Sequence, residues 1–159
     1  MLKSIEGNFN HPEVNDLLKK HFIELRRASP EGSAHVLDIP GLKTDSIIFW
    51  SLWESENLVG CGALKFLDKI HGEFKSIRVH DNFRKKGNGI KVIEHLIYEA
   101  KKLGIKRLSI ETGAGKFFEP ARKLFKQCNF EVCEPFAHYK EDINSIYFTK
   151  LINNNSNKK

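Results

Sequence analysis

The sequence predicts an α/β domain: a mixed sheet of about six to seven strands with flanking helices. Three observations carry this. Residues 46–54 and 58–67, SIIFWSLWE and LVGCGALKFL, are two strand-like runs around a turn, and read as an antiparallel hairpin. Residues 73–112 run strand, helix, strand, which implies a parallel, right-handed crossover. A second helical pattern then leads into two more strand-like runs, at 130–134 and 144–151.

Taken in order, residues 12–27 place Val14, Leu17, Leu18, Phe22 and Leu25 at helical spacing. The breaker-rich stretch ASPEGSAHVLDIPGLKTD reads as a loop. The hairpin follows, with its turn expected at Glu56-Asn57. EFKSIRVH, residues 73–80, is the next strand. The helix after it carries Ile90, Ile93, Leu96, Ile97, Ala100 and Leu103 on one face, with Gly104 placed to cap it. KRLSIET is a short buried strand. In FFEPARKLFKQCNF, Ala121, Leu124, Phe125 and Cys128 form an apolar stripe, Pro120 sits in the first turn and Asn129 can cap.

The chain has 159 residues, 40% of them hydrophobic, enough for one domain over 1–152. The tail at 153–159 is polar and expected to be disordered. The net charge of +6 suits an anionic partner or a lysine-rich surface, without choosing between them. Three cysteines, Cys61, Cys128 and Cys133, fit no zinc spacing and suit a reduced, cytoplasmic protein with no metal. There is no signal-peptide pattern and no apolar run of membrane-spanning length, so no membrane partner is expected.

The chemistry concentrates in RKKGNG, residues 84–89. It is not a Walker loop, which needs Gly-Lys followed by Ser or Thr, nor a dinucleotide fingerprint, whose third small residue is here Val92. What remains is a helix N-terminus: unpartnered amides, the positive end of the macrodipole, two glycines and the cations Arg84, Lys85 and Lys86. Such a turn can hold a diphosphate. It can equally be a glycine turn with a solvated basic edge.

R-K-K-G-N-G resembles [Q/R]-x-x-G-x-[G/A], the acetyl-coenzyme A signature of the GCN5-related N-acetyltransferase (GNAT) superfamily. The strand before it ends in IRV, and FFEPARKLFKQCNF is similar to a later family segment, with Ala121, Leu124 and Phe130 in register. The resemblance covers roughly residues 45–150 and, weakly, the first helix. Within the superfamily the chain looks like bacterial acetyltransferases without an assigned substrate.

The resemblance implies a GNAT-type acyl-CoA N-acyltransferase fold with acetyl-CoA as co-substrate. The amides from Arg84 through Lys85, Lys86, Gly87, Asn88 and Gly89 to Ile90 would hold the pyrophosphate, and Ile77 and Val79 would pair with the pantetheine arm. Glu73, eleven residues before Arg84, would be the general base that frees an amine for attack. The N–H of Val79 would face the oxyanion. Ser29, His35, Glu111 and Tyr139 are acceptor-side candidates, and Glu111 could share the base's work. The chain departs from the family at two places: Phe125 stands where many members have a tyrosine that protonates the thiolate, and Phe118 stands for an asparagine.

The expected activity is acetyl transfer to a primary amine of a small molecule by direct attack. Rival readings are an acyl-CoA-binding module with weak or lost catalysis, which Phe125 favours, and a protein acetyltransferase. A nucleic-acid binder would need its cations clustered among aromatics; here they are scattered among acids, so no nucleic-acid partner is expected. Many members of the superfamily dimerise, and a homodimer is compatible with the sequence.

Overall fold

The strands that the sequence marks as densely apolar are apolar because both of their faces are covered. The computed structural model describes residues 1–84 and 86–152. In it β2 (Ile47–Glu54) and β3 (Asn57–Phe66) pair antiparallel, and β2 sends Trp50 and Leu52 to one core, Phe49 and Trp53 to another. The whole sheet has seven strands in the order β1-β2-β3-β4-β5-β7-β6. The others are β1 (Lys3–Glu6), β4 (His71–Val79), β5 (Arg107–Gly113), β6 (Glu131–Cys133) and β7 (Ser145–Leu151). Every neighbouring pair is antiparallel except β4 and β5, the crossover pair.

One face is covered by α3 (Asn88–Lys102) and α4 (Glu119–Gln127). Ile93, Leu96 and Ala100 of α3 and Phe125 of α4 pack there on Phe74, Leu108, Ile110 and Phe148. The close approach of α3 depends on Gly62: a Cβ there would lie 2.4 Å from the Leu96 Cδ1. Gly104 ends α3 in the left-handed region at φ 87°, and Asn129 follows α4 at φ 71°. The other face receives α1 (Pro12–Ala28) and the short α2 (Ile39–Leu42), through Val14, Leu17, Leu18 and Leu42. No helix among the described residues is long and apolar enough to cross a membrane.

Several local expectations change. β1 has no strong strand signature and exists because its backbone completes the edge of β2. The loop after α1 contains α2, started by Asp38, whose Oδ1 accepts from the Gly41 N–H at 2.9 Å, with Pro40 in the first turn. The hairpin turn falls one residue early, on Ser55-Glu56, because Glu54 pairs with Asn57. Leu103 lies beyond the last turn of α3 and is exposed rather than buried. The tail at 153–159 lies outside the described residues.

The feature that matters most for function is a bulge in β4. Cys61 faces Arg78 and Ala63 faces Lys75, so Gly62 alone stands opposite Ser76 and Ile77. Ser76 takes a φ of 56° to make room for the extra residue. β4 and β5 pair from His71–Arg107 to Phe74–Ile110 and then part, while β5 stays paired with β7 to Gly113. The sheet therefore opens on one side of β4.

Gly60 supports that opening from β3. A Cβ at Gly60 would meet the Arg78 carbonyl oxygen at 2.5 Å and the Val92 Cγ2 at 3.1 Å. Gly60→Ala is therefore expected to destabilise the fold by about 1–3 kcal/mol, read as a lower denaturation midpoint; an unchanged midpoint would show that β3 and β4 separate freely.

Candidate active site

The parting of β4 and β5 makes a cleft of about 640 Å³. It runs from Arg84, Gly87, Gly89 and Ile90 at one end to Ser29, His35, Glu73 and Glu111 at the other, with Ile77 and Val79 along its wall. The hydrogen-bond alternation of the β3–β4 ladder fixes how Val79 faces it. His80 donates to the Val59 carbonyl at 2.7 Å, so the next pair, Gly60–Val79, is the non-bonded kind. The N–H and carbonyl of Val79 therefore turn away from β3, toward the open edge.

At the basic end, Gly87 is the N-cap of α3 with φ 77°, and nothing lies within 4 Å of where its Cβ would be. A side chain would strain the left-handed backbone and occupy the space before the helix. No side chain caps the opening amides, and the first bond inside the helix is Lys91 N–H to the Gly87 carbonyl at 3.4 Å. Gly89 serves a different need: its missing Cβ lets Leu124 of α4 close against α3, at 2.8 Å from the Cβ position. Asn88 is buried and donates through Nδ2 to the Phe83 carbonyl at 2.8 Å, so its side chain braces the turn. Arg84 reaches the Val79 carbonyl at 3.4 Å and Asp81 at 3.3 Å. Lys86 is exposed and does not line the cleft; Lys85 lies outside the described residues.

At the other end three side chains make one cluster. The Tyr139 hydroxyl donates to Oε2 of Glu73 at 2.6 Å. Lys75 Nζ lies 3.3 Å from the same oxygen and 3.1 Å from the Tyr139 hydroxyl. Glu73 is 1% exposed, and its Oε1 has no partner among the described residues. The ring of Tyr139 is enclosed by His35, Phe136, His138 and Tyr147. Burial, then the charge of Glu73, pushes the Tyr139 hydroxyl far above the usual tyrosine range, so it keeps its proton and supports the carboxylate from behind. Tyr139 itself does not line the cleft.

Glu111 stands across the split, with Ser145 donating to its Oε2 at 2.9 Å. Burial raises its carboxyl, and the charge of Glu73 adds to that, against the Ser145 bond and the charges of His35 and Lys75. Two loops meet over this end: Ser33 donates to Asp142 at 3.0 Å and accepts from Asn144 at 3.3 Å. Phe125 is buried, edge-on to Phe148 with centroids 5.7 Å apart, and offers no proton. Phe118 packs under Gly113, where a Cβ would come within 2.3 Å of the ring. Among the described residues no three His, Cys, Asp or Glu are grouped to hold a metal ion.

Lys75, His21 and Arg78 also line this site, beyond the residues the sequence marks. Lys75 had a signal: it follows Glu73 by two in a strand, so both point to one face. His21 had one too, three and four residues after Leu18 and Leu17 on the buried stripe of α1.

The profile of the acetyltransferase (GNAT) family matches residues 12–130. The chain is 47% identical over 140 residues to the uncharacterized N-acetyltransferase YsnE of Bacillus subtilis (strain 168), covering 88% of this chain and 93% of that one. It is 36% identical over 149 residues to the uncharacterized N-acetyltransferase YedL of Escherichia coli (strain K12), covering 94% of both. A solved Bacillus subtilis acetyltransferase in complex with CoA shares the fold, with TM-score 0.70 and 19% identity over 96% of this chain and 99% of that one.

His21 gives the site a measurable acid sensitivity. It is 6% exposed, and its Nδ1 has no partner among the described residues. Burial, then Arg78 and Arg84, bring its pKa down to about 3. The unfolded chain binds this proton near pH ~6.5 and the folded one does not, so stability falls as pH drops from there toward 3. The slope from this group is at most about 1.4 kcal/mol per pH unit. His21→Met should flatten the fall of the urea midpoint over that range; parallel slopes for both proteins would refute it.

Proposed function

The chain belongs to the acetyltransferase (GNAT) family and is an N-acetyltransferase, and we propose that it moves an acetyl group from acetyl-CoA to the primary amine of a small molecule. The observation that carries the reading is the continuity of the cleft, from the uncapped start of α3 past the open edge of β4 to the buried carboxylate of Glu73. The chain's residues fit the co-substrate along this whole path. The left-handed Gly87 with open space before it, the start of α3 and Arg84 suit a diphosphate. The outward N–H and carbonyl of Val79 suit an amide-bearing arm laid along the strand. Ile77, Gly89 and Ile90 would flank it, and Lys85 and Lys86 would add charge at the phosphate end.

Acetyl-CoA, when bound, supplies the acetyl carbon and a thiolate leaving group. Glu73 does the proton work. An alkyl ammonium with a pKa near about 10.4 must lose a proton before its nitrogen can attack. Lys75 and Tyr139 both engage Oε2 of Glu73, which leaves Oε1 to take that proton, directly or through water. The amine nitrogen bonds to the carbonyl carbon as the carbon–sulfur bond breaks, and the nitrogen's second proton passes to solvent, leaving a neutral amide and a thiolate. Val79 lies six strand residues from Glu73, roughly 20 Å when extended, so the donor to the carbonyl oxygen as charge develops there would be an N–H of β4 nearer the bulge rather than the one expected at Val79. With Phe125 at the helix and Tyr139 engaged by Glu73, this reading has the thiolate leave unassisted, which a thiol pKa near about 8.5 allows.

Calorimetric titration of acetyl-CoA, with thiol release in an amine screen, tests the reading. Wild type should bind and turn over. Arg84→Glu with Gly87→Asp should lose binding. Glu73→Gln should bind acetyl-CoA as wild type does while kcat falls by about 10²–10⁴-fold. Absence of binding would sink the assignment. Binding without turnover would leave an acyl-CoA-binding module, the reading that Phe125 favours.

A further inference from the structure

We propose that the acceptor is a linear diamine, one nitrogen meeting Glu73 for acetylation and the other remaining an ammonium against Glu111. This rests on the transferase reading and names the substrate class of that same cleft.

The first support is an oriented, unsatisfied carboxylate. Glu73 is 1% exposed and lines the cleft, and its Oε1 has no partner among the described residues. A buried anion with a free oxygen calls for a cation or a donor on the ligand. The second is a matching carboxylate across the split. Glu111 also lines the cleft, and Ser145 occupies its Oε2 alone. Glu73 pairs with Ser109 on β5, and Glu111 is two residues further along that strand on the same face. One strand spacing across and two residues along separate the two backbones by roughly 8 Å before the splay. A few methylenes between two nitrogens fit that span.

The third support is the charge left over. Lys75 is held by Glu73 and Tyr139, and Arg78 by Glu24 and Asp81. Arg84 stands at the far end, beside Gly87. Asp142 adds a further carboxylate where the loops meet over Ser33. A carboxylate-bearing acceptor such as an amino acid would face these acids, with His35 as the group at this end, among the described residues, that can carry positive charge outside an ion pair. A monoamine would satisfy Glu73 and leave Glu111 unmatched.

The test compares three probes of one chain length, diaminobutane, butylamine and aminobutyrate, by kcat/KM from thiol release. Diaminobutane should exceed butylamine by about tenfold or more, the worth of one charge-assisted hydrogen bond, with aminobutyrate poorest. Glu111→Gln keeps an acceptor for the Ser145 hydroxyl, and should bring the diaminobutane-to-butylamine ratio close to one. Butylamine or aminobutyrate matching diaminobutane in the wild type overturns the diamine assignment and leaves the transferase reading standing. An unchanged ratio in Glu111→Gln overturns it as well. No turnover of any amine by protein that binds acetyl-CoA overturns the proposed transfer to small amines and the acceptor assignment together.

Discussion

The site depends on one irregularity: the extra residue in β4. With a regular ladder, Ser76 and Ile77 would pair in step with β3, and β4 would lie flat against β5 to its end. Instead the bulge turns β4 away after Phe74, at the cost of a left-handed Ser76. That backbone state costs on the order of 1–3 kcal/mol. The surrounding pairing holds it: β4 is bound to β3 on both sides of the bulge, and β5 is bound to β7 along its whole length. The gap is thus a fixed part of the sheet, and it leaves the N–H and carbonyl of Val79 turned to an open edge, where Arg84 reaches the carbonyl.

The gap in turn makes Glu73 expensive to keep. A carboxylate 1% exposed loses most of its hydration, several kcal/mol even after relaxation. Lys75 and Tyr139 offset part of this, and both come to one oxygen. Lys75 arrives by strand periodicity and Tyr139 by a loop that folds back from 66 residues away. The aromatic packing around Tyr139 fixes the direction of its hydroxyl, so the carboxylate is oriented as well as stabilised. This explains why the loop at 134–144, irregular as it is, carries Phe136 and Tyr139 inward.

Much of this was legible in the sequence. The period-two and helical patterns located the hairpin, the crossover and the helices α1, α3 and α4 that cover the sheet, and the basic glycine turn fell at the start of α3 where the residues placed it. Glu73, marked by its offset from Arg84, and Glu111, marked by its strand end, both fall on the cleft. The bulge was not legible, because Ser76 is an ordinary residue for a strand and nothing local marks its φ. The engagement of Tyr139 by Glu73 was not legible either, since a 66-residue contact leaves no periodic trace. The purposes of the two glycines also needed coordinates: Gly87 serves an open left-handed cap, whereas Gly89 serves the packing of Leu124. Asn88, inside the same motif, turns inward to Phe83.

The two ends of the cleft have opposite electrostatic character, and α1 links them. Asp81 takes Lys20 and Arg78 as well as Arg84, and Arg78 also holds Glu24 at 2.9 Å. Exposed pairs of this kind contribute little each, but Arg78 is 5% exposed and its charge must be met wherever α1 sits. The network therefore sets the position of α1 against β4, and with it the height of the loop that carries Ser29, Ser33 and His35 over the acidic end. Lys20 holds the Asp81 carboxyl below its usual range, so this link stays charged under neutral conditions. A phosphate at Gly87 would compete with Asp81 for Arg84, while Lys20 and Arg78 would still hold Asp81 in place. The basic end can thus engage an anion without releasing the helix that shapes the acidic end.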